Sequence, residues 1–525
     1  MIELAEQVIR RIATDVVRHA PEGWTEAVLN FTAGVGVCLR SGGYTVAGEP
    51  WQPFRRYDFY PELWSLAEAI RASRGWEHAG MEVRWRPTGE FDLVEFPDAV
   101  TNAHGYGAGF QVVLDHDYRL PQPGFGQEPG TGGPAGDPDL AVARFRAYME
   151  RRASILGQPE QLPPPASATA LDEAERRLGR PLPADLRALY LIADGDGIGY
   201  ENLNLFGNNL WLSLEGLVEC QDEWREPVWF GWDLEWDAVV FDANPADTVR
   251  RCGGHPGWLP FASGQDGNFL AVDTAPACKG RPGQVIQMGR DYDHSPEYVA
   301  DSVTSLLGHY LELLEEGAYE VQDGNIRMRE PDRGFDRGIA VGEIPAEIPP
   351  TLQDITINTL SSAVDLTPLT AAPNLRRLQL HNGGTTDLAP VRALPVETLH
   401  VTLDGTDLTP LVDHHHLAAL NLGTTVVTDL APLRTVPNLR CLDLSRAAAT
   451  DLAVLADLPG LRYLVLTAQQ WSVLLDEGNA PPNLAAARLA GADVSFDDAL
   501  AWSARLGRGS GDAFRLSSTF GPSGS

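Results

Sequence analysis

The stretch from Asp194 to Leu205, "DGDGIGYENLNL", alternates aspartate with glycine and has the composition of an ion or phosphate site. A calcium loop of the helix–loop–helix type needs oxygen ligands at positions 1, 3 and 5, glycine at 6 and a bidentate glutamate at 12. Asp194, Asp196 and Gly199 fill the first, third and sixth places, but Ile198 and Leu205 stand at the fifth and twelfth. Without the closing carboxylate the cage stays open. A phosphate cradle uses backbone N–H groups at the start of a helix. Here the helix-like segment precedes the glycines, and two carboxylates would repel the anion. The remaining reading is a turn, in which Gly195 and Gly197 allow the positive φ that ends a helix.

Other reactive groups are sparse. The chain contains no HExxH, paired CxxC, GxSxG or GxxxxGK[ST] pattern, and Lys279 is its single lysine. "DHHH", Asp413 to His416, falls before a strand-like stretch and reads as a solvated loop without a second ligand cluster. Neither a metal nor another cofactor is expected. "CQDEWREPVWFGWDLEWDAVVFD" is different. It interleaves Trp224, Trp229, Trp232 and Trp236 with Asp222, Glu223, Asp233, Glu235 and Asp237. Tryptophans anchor protein interfaces and carboxylates give them specificity, so this stretch suits a basic protein partner, unless the indoles fill a core.

The charge balance points the same way. Against 72 acidic residues stand 40 basic ones, a formal net charge of −32 over 525 residues. Nucleic acid and anionic membrane both require cationic patches, so neither is expected as a direct partner. Five dispersed cysteines, Cys38, Cys220, Cys252, Cys278 and Cys441, argue against a disulfide framework and for a reducing cytoplasm. The opening helix places Ile2, Ala5, Ile9, Ile12 and Val16 on one face and lacks the apolar run of a signal peptide.

The elements that would position these residues fall into a multidomain chain: two α+β domains followed by a short leucine-rich-repeat solenoid. Residues 1–118 read as helix, strands, helix and the hairpin "MEVRWRPTGEFDLVEF", with Met81, Val83 and Trp85 on one strand face. Residues 119–166 are a Pro/Gly-rich linker with a short helix. Residues 167–317 hold two helices split by "GRPLP", hairpin strands and a closing helix. Residues 318–350 read as a second linker. In 351–490, "DL" units start at Asp365, Asp387, Asp407, Asp429 and Asp451, with apolar strands such as "LRRLQL" and "LRCLDL" offset from them. Such coils cannot bury their faces alone and must stack. Residues 491–525 end in a helix and a frayed tail.

Alternation along the repeat strands gives exposed concave rows. They run Arg377, Gln379, His381; Thr398, His400, Thr402; Ala419, Asn421, Gly423; Cys441, Asp443, Ser445; Tyr463, Val465, Thr467. Arg377, Gln379, His381, His400, Asn421, Asp443 and Tyr463 form a second candidate binding surface.

Three resemblances sharpen this picture. "EAERRLGRPLPADLRALYLIADGDG", followed by "WLPFASGQDGNFLAVD" and "GQVI", resembles the SUKH superfamily, the SMI/KNR-type domain, whose members are non-enzymatic immunity proteins against toxins, often nucleases, or fungal regulators of cell-wall synthesis. "APEGW" with the "WRPTGEFDLVEF" hairpin resembles the YezG-like immunity family, which implies a toxin-neutralising module. The repeats are similar to the internalin-like subtype, except that Gly383, Thr425, Ala447 and Gln469 replace the usual asparagine, so the turns should lose side-chain hydrogen bonds. Together these imply a non-enzymatic immunity protein that occludes a toxin. The alternative is an SMI/KNR-like scaffold that recruits a client through its repeats.

Overall fold

The computed structural model describes residues 2–34, 37–55, 61–66, 78–96, 100–102, 109–115, 117–196, 204–223, 239–292, 294–330, 337–358, 363–405, 407–424, 426, 429–449, 451–491, 494, 496–507 and 514–520. The N-terminal strands are β1 (Trp24–Gly34), β2 (Val37–Val46), β3 (Gln52–Pro53), β4 (His78–Trp85), β5 (Glu90–Phe96), β6 (Val100–Asn102) and β7 (Gly109–Val113). The middle domain carries β8 (Leu210–Trp211), β9 (Trp258–Ser263), β10 (Asn268–Asp273), β11 (Gln284–Gly289) and β12 (Glu297–Ala300). A hairpin, β13 (Tyr319–Gln322) and β14 (Asn325–Met328), leads to the repeat strands. These are β15 (Arg337–Val341), β16 (Asp354–Asn358), β17 (Arg377–His381), β18 (Thr398–Leu403), β19 (Ala419–Thr424), β20 (Cys441–Arg446), β21 (Tyr463–Thr467) and β22 (Ala486–Ala490). The last strand is β23 (Phe514–Thr519).

In the N-terminal sheet the order is β23-β5-β4-β1-β2-β3. Helix Ile2–Arg18 lies on it and buries Ile9, Ile12 and Val16 against Met81, Val83 and Trp85. The "RPTGE" turn closes through Gly89 at φ 88°, with Arg86 N–H donating to the Glu90 carbonyl at 2.9 Å. The edge strand β23 comes from the segment read as a frayed tail, which corrects that reading. It pairs antiparallel with Glu90–Glu95 of β5, and Ser518 accepts from Arg10 and donates to Glu6 on the first helix. "FRLSST" alternates like any half-buried strand, but its partner lies more than four hundred residues earlier in the chain.

The middle domain packs its helices on a five-stranded antiparallel sheet, β12-β11-β10-β9-β8. Helix Pro138–Leu156, placed above in a linker, belongs to this core. It buries Ala141, Phe145 and Tyr148 beside Leu186, Leu307 and Tyr310. Asp137 caps it by accepting from Leu140 N–H, and Gly157 ends it at φ 76°. Arg152 interrupts its apolar stripe, yet is fully buried and paired with Glu160 at 2.5 and 2.7 Å. The second linker is likewise structured: Ile326 and Met328 of β14 join the same core, and β15 opens the repeat sheet.

That third sheet has ten strands, β15-β16-β17-β18-β19-β20-β21-β22-β7-β6. Successive strands from β15 to β22 pair in parallel, and Leu378, Leu399, Leu420 and Leu442 are buried in one continuous leucine core. At its far end β7 pairs antiparallel with β22, so the first unit's last hairpin covers the edge. The turns keep side-chain hydrogen bonds despite the missing asparagines. Asp365, Asp387, Asp407 and Asp429 each accept from the N–H two residues on, at 2.7–2.9 Å, where a 3₁₀ turn begins. Asn374, Asn438 and Asn483 of the "PNL" segments each donate to a carbonyl of the preceding coil. Of the three histidines expected at the surface, His414 is buried and accepts from Leu417 N–H at 3.1 Å.

Candidate functional site

The "DGDG" stretch is used for structure. Gly195 has φ 89°, Asp194 accepts from Leu214 N–H at 2.8 Å where helix Leu214–Glu223 begins, and Asp196 accepts from Leu205 N–H at 3.0 Å. Asp194 thus caps a helix twenty residues away, and the leucine at the twelfth position supplies a backbone donor. Among the described residues no group of three His, Cys, Asp or Glu side chains could hold a metal ion.

Asp222 and Glu223 close helix Leu214–Glu223. Trp224, Trp229, Trp232, Asp233, Glu235, Trp236 and Asp237 lie outside the described residues.

The second candidate surface is the face of the repeat sheet opposite its leucine core. Strand register sets its residues in three rows. In the first row Arg377, Thr398, Ala419, Cys441 and Tyr463 stand side by side. This row is not exposed as expected, because other parts of the chain cover it. Tyr118 and Leu120 pack with Val113 over Ala419, Cys441 and Tyr463. Tyr463 donates to Gln111 of β7 at 2.9 Å. Arg377 holds Asp354 through two bonds of 2.8 and 2.9 Å, and its guanidinium lies 5.0 Å from the Phe241 ring of the middle domain.

Beside Phe241 the two domains share a buried ionic cluster. Arg251 of the middle domain donates to both carboxylate oxygens of Glu397 at 2.7 Å. Arg376 bridges the same Glu397, at 2.7 Å, to Asp242 of the middle domain. Gln353 completes the dock by accepting from Asp242 N–H and donating to its carbonyl at 2.8 and 2.9 Å. Two arginines face two carboxylates, all with side chains 9–16% exposed. Burial alone would lower Arg376, but the two carboxylates outweigh it and raise its pKa. Reasoning along the chain missed this cluster, since its halves lie more than a hundred residues apart.

In the middle row His400, Asn421 and Asp443 are half-buried beside a cleft, whereas Val465, expected to be exposed, is buried with Cys441 and Tyr463. Gln379, His400, Asn421 and Asp443, with Thr398, Ala419, Cys441 and Tyr463 of the first row and Leu420 and Leu442 of the leucine core, line this cleft of about 390 Å³, measured with its open solvent. Five of the seven residues proposed for this surface meet there; Arg377 is locked to Asp354, and His381 stands at the rim with its ring 4.9 Å from that of His400. Arg446, exposed at the end of β20, donates to His400 Nε2 at 2.6 Å and to Asn421 at 2.9 Å. Asn421 donates in turn to Asp443 at 3.1 Å, and Asp443 accepts from Ser445. Arginine can only donate, so His400 Nε2 is the acceptor and its proton sits on Nδ1. Burial, reinforced by Arg446 and His381, pushes His400 down to about 3, which keeps the ring neutral. The cleft therefore presents hydrogen-bond donors and acceptors held in fixed directions beside an apolar floor.

Comparison with known proteins places the domain docked beside this cleft. Residues 165–309 match the SMI1 / KNR4 family (SUKH-1). The match covers the middle domain; helix Pro138–Leu156 and the β13–β14 hairpin flank it. A glucan synthesis regulatory protein from Neurospora crassa is 28% identical over 202 residues, 33% of this chain and 38% of that protein. A cell wall biosynthesis/cell cycle regulator from Schizosaccharomyces pombe is 32% identical over 178 residues, 32% of this chain and 34% of the relative. The chain thus spans little more than a third of the length of these two relatives. Among solved structures, an internalin from Listeria monocytogenes matches with a TM-score of 0.21 at 25% identity, covering 24% of this chain and 39% of that one. The repeat pattern therefore rests on its own strand register. No helix among the described residues is long and apolar enough to cross a membrane, and Cys252 and Cys278 are free thiols.

Proposed function

We propose that this chain is a non-enzymatic regulatory scaffold of the SMI1/KNR4 kind, working in a reducing cytoplasm. Its SMI1/KNR4-type domain is clamped to a leucine-rich-repeat solenoid, and the solenoid's polar cleft recruits a protein client. The carrying observation is the kinship of the middle domain with proteins named as regulators of glucan synthesis and cell-wall formation. The cleft supports it, since its side chains are hydrogen-bonded into a recognition surface. That kinship favours regulation over the neutralising of a basic toxin, the function that the immunity families and the acidic balance imply.

Affinity capture from the native host, with the parent chain and an Arg446→Ala/Asp443→Ala variant, tests the proposal. A client retained by the parent should fall by at least about tenfold with the variant, the effect of losing one strong polar contact. Capture that does not depend on these residues would overturn the cleft as the recruiting surface. A captured toxin whose activity the chain abolishes would restore the immunity reading.

A further inference from the structure

The ten-stranded sheet is covered at one end by β7 and β6, but at its other end β15 pairs only with β16, and no further strand lies on its outer side among the described residues. Gly342 N–H donates inward to the Asn358 carbonyl at 2.8 Å, and backbone direction alternates along a strand. Ile339 and Val341 therefore turn their N–H and C=O groups outward. Their side chains, each 77% exposed, are the most exposed large apolar groups of the described chain, while Ala340 between them is buried in the core. An open edge carrying two bare β-branched side chains is a template for another strand.

We propose that this edge is an interface between two copies of the chain, joined through β15 in antiparallel pairing about a twofold axis at Ala340. The residues themselves select this occupant and register. With Ala340 facing Ala340 of the other copy, Ile339 lies against Val341 and Val341 against Ile339, as an isologous interface requires. Both pairs exchange the outward-facing backbone hydrogen bonds, and both sit on the polar face, continuing its middle and last rows. The same register brings Arg337, at one end of the strand, alongside Glu343, exposed just beyond the other, so each end is complementary in charge. The two repeat sheets then run as one continuous sheet, with the two clefts on the same surface. This inference is independent of the client-recruiting reading, because it needs neither the cleft nor a client.

Sedimentation equilibrium of the full chain over the micromolar range tests it, at moderate salt so that repulsion between two chains of net charge −32 is screened. The parent is expected to dimerise, and Ile339→Lys or Val341→Lys to weaken association by at least about tenfold. A parent that stays monomeric, or folded lysine variants that dimerise like the parent, would overturn the proposal. A second measurement does not depend on those variants folding. Ile339→Cys and Val341→Cys chains, each in a Cys278→Ser background, are mixed in equal amounts and oxidised. The mixed 339–341 disulfide is expected to dominate; disulfides only between like chains, or none, would overturn the register.

Discussion

Replacing Glu397 by glutamine is the sharpest probe of how the middle domain is held. The cluster is neutral as built: Arg251 and Arg376 face Asp242 and Glu397. Glu397→Gln leaves one uncompensated positive charge among groups only 9–16% exposed and turns an N–H₂ toward guanidinium donors. Glu397 accepts three hydrogen bonds, two from Arg251 and one from Arg376, and a charge-assisted bond contributes about 1.5–3 kcal/mol. Losing one to two of them agrees with the roughly 3–5 kcal/mol found when a buried pair is broken. Arg251→Gln should cost a similar amount, because it leaves one negative charge. The double variant is neutral again and keeps the Arg376–Asp242 pair, so its loss should fall short of the sum by about 2 kcal/mol or more. Urea unfolding of the four chains, followed by circular dichroism, measures this coupling. It should persist at high salt, unlike a surface pair. A coupling below about 0.5 kcal/mol, or a Glu397→Gln midpoint equal to the parent's, would mean the docked arrangement is not what these residues hold.

Two further outcomes follow from the packing. Burial, only partly offset by bonds from Ala275 N–H and Gln284, pushes Asp273 up to about 7. Its folded value exceeds the unfolded one, so the folded state binds the proton more tightly. Stability should fall as pH rises from about 4 to 7, by roughly 1.4 kcal/mol per pH step for this group. Asp273→Asn should flatten that slope in urea midpoints compared at about pH 5 and pH 8; an unchanged slope refutes it. Removing residues 508–525 deletes β23 and exposes β5 along its length, so amide protection over Glu90–Phe96 should drop while that of β17–β20 stays. Equal exchange in the two chains would show that the last strand does not close the first sheet.

What could be read from the sequence was what neighbours decide. The strand positions of the repeats follow from leucines about one coil apart, and "RPTGE" makes its hairpin through Gly89. Helix Pro138–Leu156 was misjudged because Arg152 breaks its apolar stripe, and only Glu160, folded back beside it, makes that burial tolerable. The same limit applied to the candidate site. His400, Asn421 and Asp443 could be placed on one face by alternation alone. Nothing in their own segments revealed that Arg446 would join them, or that Tyr118, Leu120 and Phe241 would cover the adjoining row.

The ionic dock and the exchanged strands bear on the same mechanical question. A flat leucine contact between the domains would tolerate sliding, because dispersion has little direction. The Arg251–Glu397–Arg376–Asp242 arrangement does not, since a displacement of a few ångströms strands charge in a dry interface. Buried charge of this kind costs about as much as it returns when compared with apolar packing, so its effect lies in fixing one orientation. The backbone adds to that constraint. β7 leaves the first unit to end the repeat sheet, and β23 leaves the repeats to end the first sheet, so each sheet needs strands from both ends of the chain. Separating the units therefore requires breaking backbone ladders as well as the ion cluster. The cleft around His400 is then held at one fixed place beside the SMI1/KNR4-type domain, and a client of the kind proposed would meet a preformed surface there, without the ordering cost that a flexible tether would add.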